Sequence, residues 1–184
     1  MPNRVRPHPG ILNRTHWLAL ILSVHPAGSS TGTASQSLAA TIRPAGSISA
    51  PALAALRTTA ANFQPFTGTL SLNYRVRTTP SGGGNVTLRV TSDFTPSGGP
   101  SVAAGALSYT CTGATLGVAC IGTQPASTAV QTPVVTLPAS ACAGGSGACS
   151  QYTNSVILNF SLADDPGYQT GTYSARVMFT ISAT

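Results

Sequence analysis

The sequence predicts an all-β protein, because half-buried strands separated by turn residues recur along it. Residues 171–184 place larger or apolar side chains at every odd position from Tyr173 to Ile181. Residues 155–162 alternate in the same way, with apolar side chains at the even positions. The intervening ADDPGYQTG contains the Asp, Pro and Gly residues that end strands and turn the chain. Two strands of this kind need a second sheet to cover them, so we expect a β-sandwich.

The composition fits an exported all-β protein better than a disordered one. Charged residues make up only 7% of the chain, against roughly a quarter in an average globular protein. The apolar content of 42% is enough to build a core. Lys and Glu are absent from the sequence, so all nine cations are Arg.

The N-terminal residues have the layout of a signal peptide. Residues 1–16 contain Arg and His but no acid, residues 17–24 are apolar, and His25-Pro26 ends the apolar run. This run is too short to span a bilayer. We therefore expect residues 1–34 to be a removable signal peptide of a secreted or cell-surface protein; the alternative is a buried N-terminal helix.

A separate alternating segment follows the signal peptide. On one side of residues 35–50 lie small or apolar side chains, at Leu38, Ala40, Ile42, Pro44, Gly46 and Ile48. Pro44 has no backbone N–H, so the segment suits an edge strand or a strand supplied to another molecule. We interpret residues 35–61 as an N-terminal alternating strand with an Ala-rich connector, and residues 62–184 as the β-sandwich domain.

Further short strands complete the predicted sandwich. Residues 66–76 and 86–90 flank the turn TTPSGGG, and we interpret them as a hairpin. Other strands are expected near residues 107–111, 118–120 and 130–137. The total is about seven or eight strands, bounded by Gly, Pro or Ser. That number and spacing favour an immunoglobulin-like antiparallel β-sandwich over a barrel.

The four cysteines allow three disulfide pairings. We favour Cys111 with Cys120 and Cys142 with Cys149, because each pair closes a short loop that contains Gly. A zinc site of all four, or a redox pair, would favour C-x-x-C spacing. We therefore expect structural disulfides that form in an oxidising compartment.

The sequence contains no recognisable catalytic apparatus. All three histidines lie in the signal peptide, at His8, His16 and His25. Acid–base chemistry after residue 34 would fall to three Asp or to Tyr, and a nucleophilic Ser would lack its usual base. Asp164 and Asp165 would point oppositely on a strand; in a turn they could ligate calcium or simply form the turn. We predict a non-enzymatic protein without cofactor or metal.

Three arginines suggest a surface that binds anions. Arg75 and Arg77 face outward on one predicted hairpin strand, and Arg89 faces outward on its partner. Charge-assisted hydrogen bonds from these residues could hold an anionic glycan. The alternative is a solubilising face that discourages edge-to-edge association. A nucleic-acid binder would show a denser basic cluster with aromatics, so we expect no nucleic-acid partner, and membrane contact only through export.

The closing stretch Gly171–Ile181 resembles the C-terminal strand of chaperone-usher pilins and of the spore coat protein U group. In those families a Gly is the fourteenth residue counted back from the end, with the last residue as the first, as Gly171 is here, and alternating apolar residues follow. Their immunoglobulin-like sandwich is incomplete and is completed by an N-terminal strand from the next subunit. The resemblance implies a bacterial protein that self-associates by strand addition, with donor positions at Leu38, Ala40, Ile42, Gly46 and Ile48. Gly171-x-Tyr173 is also similar to a tyrosine corner.

Three functional hypotheses follow from these patterns. The first is a secreted structural or adhesive protein at the cell surface, in the form of a pilin-like subunit joined by strand addition. The second is a self-contained module that binds a glycan or another ligand through the arginine face. The third, a hydrolase, would have to work without the usual acid–base side chains.

Overall fold

A computed structural model of the chain describes residues 36–52, 54–58, 63–139, 141–142, 149 and 153–184. The predicted signal peptide, residues 1–34, lies outside the described residues. Contacts divide the chain into two units, Met1–Ala39 and Ala40–Thr184. Every strand of the described residues belongs to the second unit.

The predicted all-β fold is confirmed, since the described residues form nine strands and no helix. The strands are β1 (Ala45–Ser49), β2 (Phe66–Arg77), β3 (Gly84–Thr95), β4 (Leu107–Thr112), β5 (Val118–Ala119), β6 (Gln124–Pro125), β7 (Thr132–Leu137), β8 (Asn154–Leu162) and β9 (Ser174–Ala183). They form a five-stranded sheet in the order β1-β2-β8-β4-β6 and a four-stranded sheet in the order β5-β7-β3-β9. All pairings between these strands are antiparallel.

The order of six of the nine strands of the described residues matches that of an immunoglobulin-like sandwich. In an immunoglobulin constant domain, strands A, B, E and D form one sheet, and strands C, F and G form the other. In this chain β1, β2, β8 and β4 reproduce the order A-B-E-D, and the β3–β9 pair reproduces C-F. No strand of the described residues occupies the position of G, beside β9.

The predicted hairpin of residues 66–90 is wrong, because β2 and β3 lie in different sheets. Their connection crosses from one sheet to the other and is held by Thr184. The Thr79 N–H donates to the Thr184 carbonyl at 3.1 Å, and the Thr184 N–H donates to the Gly83 carbonyl at 2.9 Å. Strands β8 and β9 also lie in different sheets. Alternation identifies the buried face of a strand but not its neighbour, which is why the pairing could not be read from it.

The core fills the space between the two sheets with apolar side chains from four central strands. From β2 and β8 come Leu72, Tyr74, Val76, Val156, Leu158 and Phe160, and from β3 and β7 come Val86, Leu88, Val90, Val134, Val135 and Leu137. Interdigitation of two apolar faces is the ordinary way a sandwich is stabilised.

One buried polar group connects the two sheets. Tyr109 lies on β4 and is only 1% exposed, with its ring 5.9 Å from that of Phe160. Its hydroxyl bonds to Thr132 Oγ1 at 2.7 Å and lies 2.9 Å from the Pro133 carbonyl oxygen, both on β7. Burial raises the pKa of Tyr109, so the hydroxyl keeps its proton and can donate at neutral pH.

Both disulfides have the pairing that the loop lengths predict. Cys111 is bonded to Cys120, and Cys142 to Cys149. The first links β4 of the five-stranded sheet to the residue that follows β5 of the four-stranded sheet. Two such bonds indicate a chain that folds in an oxidising compartment. The described residues contain no helix long and apolar enough to cross a membrane.

We expect Tyr109→Phe to lower the free energy of unfolding by about 1 kcal/mol, because it leaves the Pro133 carbonyl without its buried donor. Urea denaturation monitored by fluorescence would measure the change. Tyr168→Phe is the matched control, since the Tyr168 hydroxyl has no hydrogen-bond partner among the described residues. Equal stability losses in the two variants would contradict a role for the cross-sheet bond.

Candidate functional site

Strand β9 is hydrogen-bonded on one side only. It pairs with β3 from Gly84↔Ala183 to Thr95↔Ser174, and no strand of the described residues pairs with its other side. In an antiparallel ladder, alternate backbone N–H and C=O groups point away from the neighbouring strand. A ten-residue edge of backbone donors and acceptors therefore faces outward.

The side chains that β9 directs inward are less covered than those of its neighbour. Val177, Phe179 and Ile181 pack against the core but remain partly exposed. On β3 the corresponding inward residues, Val86, Leu88 and Val90, are 0–1% exposed. The core is thus incompletely covered along β9, where an apolar row lies beside an unpaired backbone edge.

Strand β1 covers one end of this edge from the opposite sheet. It pairs with β2 and approaches β9 at Gly46, where an added Cβ would lie 2.9 Å from Ile181 Cγ2. Any other side chain at position 46 would have to displace Ile181. Because β1 has five residues and β9 has ten, β1 can cover at most half of the edge.

The structure divides the candidate donor positions into two groups. Gly46 and Ile48 belong to β1, where they pair with Val76 and Tyr74 of the same chain. Leu38, Ala40 and Ile42 precede β1 and lie outside any strand of the described residues. All three are exposed, Leu38 to 95% and Ile42 to 72%.

The structure does not bring the three arginines onto one face. Arg75 and Arg77 point outward from β2 in the five-stranded sheet, whereas Arg89 points outward from β3 in the four-stranded sheet. Arg89 therefore lies on the opposite side of the sandwich, because the hairpin that would have joined these strands does not exist.

Each guanidinium is held by an uncharged oxygen. Arg75 donates to Thr153 Oγ1 at 3.0 and 3.2 Å, and Arg77 donates to the Arg43 carbonyl at 2.9 Å. Arg89 donates to the Thr128 carbonyl at 3.1 Å.

The three carboxylates are hydrogen-bonded within turns and loops. Asp93 accepts from the Val102 and Phe94 amides at 2.7 Å each and from Ser101 Oγ at 2.8 Å. Asp164 accepts from the Phe63 amide at 3.1 Å, and Asp165 from the Gly167 amide at 2.7 Å. Within the described residues, no three His, Cys, Asp or Glu side chains gather into a group able to hold a metal.

A tyrosine corner, as predicted, precedes β9. The Tyr173 hydroxyl donates to the Gln169 carbonyl at 2.7 Å, four residues upstream. Its ring lies against Gly99, where an added Cβ would come within 2.2 Å of Tyr173 Cε1. Together these contacts fix the point at which β9 begins.

Two features of this region were missed from the sequence. Asp93 binds the loop that follows β3, and an Asp shortly before Pro-Ser-Gly-Gly is a recognisable turn signal. The contact between Gly46 and Ile181 joins residues that are distant in the chain, and no local pattern indicates it.

Fold and edge together define the class of this protein, a disulfide-bonded immunoglobulin-like sandwich in which, among the described residues, the long strand β9 is unpaired on its outer side. No known family model matches the chain, and no curated protein shows significant similarity to it.

We expect Asp93→Asn to destabilise the protein at neutral pH and to have little effect in strong acid. Burial by itself would raise the pKa of Asp93, but the hydrogen bonds from Val102, Ser101, Phe94 and Ala103 outweigh it and lower the pKa below its ordinary value of 3.8. The ionised carboxylate therefore stabilises the fold at every pH above the ordinary pKa of 3.8. This stabilisation is lost as the pH falls through the lowered pKa of the folded protein.

Thermal unfolding of the wild type and of Asp93→Asn at pH 7 and near pH 2 would test this expectation. At pH 7 the free energy of unfolding of the variant should be lower by about 1 kcal/mol. Asp165→Asn is the control, because Asp165 accepts only the Gly167 amide. If the wild type and Asp93→Asn differed in stability as much near pH 2 as at pH 7, the ionised Asp93 carboxylate would not be the stabilising group.

Proposed function

We propose that this chain is a secreted, non-enzymatic structural or adhesive subunit that joins its neighbours by strand addition at the outer edge of β9. One observation carries the proposal: the unpaired backbone edge of β9 lies beside the partly exposed row Val177, Phe179 and Ile181. An added strand would pair with the backbone and cover the row. Covering apolar surface contributes roughly 25 cal/mol for each Å² removed from water.

The other sheet edges support this choice because they carry the usual protection against strand addition. The edge strands β5 and β6 have two residues each, and β6 contains Pro125. The edge strand β1 has five residues and directly follows Pro44. Short edges and Pro discourage pairing with another chain. By contrast, β9 has ten residues, no Pro, no Gly and a single charge at Arg176.

The exposed segment before β1 supplies a suitable donor. Leu38, Ala40 and Ile42 alternate with Ala39 and Thr41, which is the spacing of Val177, Phe179 and Ile181 on the acceptor. A strand built from this segment would present all three side chains to one face. Gly46 and Ile48 remain in β1 of their own chain. A strand formed by residues 38–42 could therefore pair with a neighbouring subunit and leave the donor's own sandwich intact.

The predicted signal peptide and the lack of common acid–base side chains in residues 35–184 support this function. The predicted signal peptide would deliver the chain to a compartment in which both disulfides form. Residues 35–184 contain no His, Glu or Lys, and the three Asp are hydrogen-bonded in turns and loops.

We expect the exported protein to form assemblies, and the double variant Leu38→Arg/Ile42→Arg to remain monomeric, because a charged donor face cannot cover an apolar row. Light scattering after size-exclusion chromatography would measure the mass, and electron microscopy the form, of the assemblies. The matched control is Ser37→Arg/Thr41→Arg, which places the same charges on the other face of the segment.

Mixing two variants, one with an altered donor segment and one with an altered β9, tests donor and acceptor separately. A donor variant (Leu38→Arg/Ile42→Arg) and an acceptor variant (Val177→Ser/Phe179→Ser) should form capped dimers together and no longer chains, because only one productive edge and one productive segment remain. A wild-type protein that stays monomeric at high concentration, or equal assembly of both arginine doubles, would refute strand addition.

A second candidate function is the binding of an anionic glycan by Arg75 and Arg77. The observation that favours it is that both guanidiniums are exposed and hydrogen-bonded only to uncharged oxygens, so neither is neutralised by a carboxylate among the described residues. Two arginines on one strand face can both donate to an anion there.

We expect Arg75→Ala/Arg77→Ala to abolish salt-sensitive retention on an immobilised sulfated glycan. Arg89→Ala should retain wild-type binding, since Arg89 lies on the opposite face, and it serves as the control. Elution at the same salt concentration for the wild type and the double variant would exclude this function.

A further inference from the structure

The outer face of the five-stranded sheet carries a recess lined by small polar side chains. Strands β2, β8 and β4 bring their outward residues into register, so that Thr67, Ser161 and Ser108 form one row and Thr69, Asn159 and Thr110 form the next. Thr123, directly before β6, borders the same recess. It is a shallow recess that is open to solvent and has a volume of about 580 Å³.

These side chains retain unused hydrogen-bonding capacity. Thr69 Oγ1 donates to Asn159 Oδ1 at 3.1 Å, which orients the amide and leaves its two N–H donors without a partner in the described residues. Five lining hydroxyls also make no side-chain hydrogen bond within the described part of the chain, namely those of Thr67, Ser108, Thr110, Thr123 and Ser161. Six groups with free capacity therefore line one recess.

The lining of the recess contains no charged side chain, although Arg57 forms a β-bridge with the lining residue Thr67. The lining itself therefore offers a charged ligand no counter-charge for the hydration that it would lose. A hydroxyl both donates and accepts, so a lining of hydroxyls with one amide complements a ligand that is itself rich in hydroxyls. Arg75 lies six residues beyond Thr69 on β2, roughly 20 Å away along the strand, so the recess is distinct from the arginine pair.

We propose that this recess is a binding site for a neutral oligosaccharide. The lining side chains of Tyr109 and Phe160 point into the core, so no aromatic ring of theirs stacks on the sugar. Binding depends on hydrogen bonds made by Thr69, Asn159, Thr110 and their neighbours. The site is independent of strand addition, because it occupies a sheet face and not the β9 edge.

The test is an NMR titration of the exported, isotope-labelled chain with maltohexaose, cellohexaose and chitohexaose, and with a sulfated oligosaccharide for comparison. At least one neutral sugar should give saturable shifts of backbone amides in residues 67–69, 108–110 and 159–161. Thr69→Val/Thr110→Val should weaken that binding by about tenfold or more, because it removes two hydroxyls and the bond that orients Asn159.

Thr112→Val is the matched control, because Thr112 also faces outward on β4 but lies outside the recess. Thr112→Val should bind the neutral sugar as tightly as the wild type does. Equal thermal midpoints of the wild type, Thr69→Val/Thr110→Val and Thr112→Val would show that each is folded. The proposal is overturned if no neutral sugar shifts these amides, if only the sulfated sugar does, or if Thr69→Val/Thr110→Val binds as tightly as Thr112→Val.

Discussion

The rest of the structure depends on the requirement that two sheets bury each other's apolar faces while their four outer edges stay protected. The inward faces of β2, β8, β3 and β7 meet this requirement almost completely. Three edges are short or follow Pro, whereas β9 is long and carries one charge. An incompletely covered core and an unprotected edge therefore occur at the same place, and this coincidence is the basis of the strand addition proposed for β9.

The local features of the fold could be predicted from the sequence, but the neighbours of each strand could not. Alternation identified β8 and β9 and their inward side chains, and short loops identified the disulfide partners. The same alternation is compatible with several pairings, because a period of two says which side is buried and nothing about which strand lies alongside. The separation of Arg75 and Arg77 from Arg89 is a direct result.

Some polar groups of this protein hold its structure together. The Tyr109 hydroxyl and the Asp93 carboxylate are hydrogen-bonded to close partners and hold sheets and loops in place. Outer ones, such as the hydroxyls on β2, β8 and β4, have capacity left over. The edge of β9, the outer hydroxyls and the pair Arg75 and Arg77 each occupy a separate region of the sandwich.

The pairing of β9 with β3 has a consequence for how the protein is made. The paired residues, from Gly84↔Ala183 to Thr95↔Ser174, are separated by about half of the chain. During synthesis from the N-terminus, β3 therefore emerges long before its partner β9. Contacts between such distant residues form slowly and leave a nascent chain prone to aggregation.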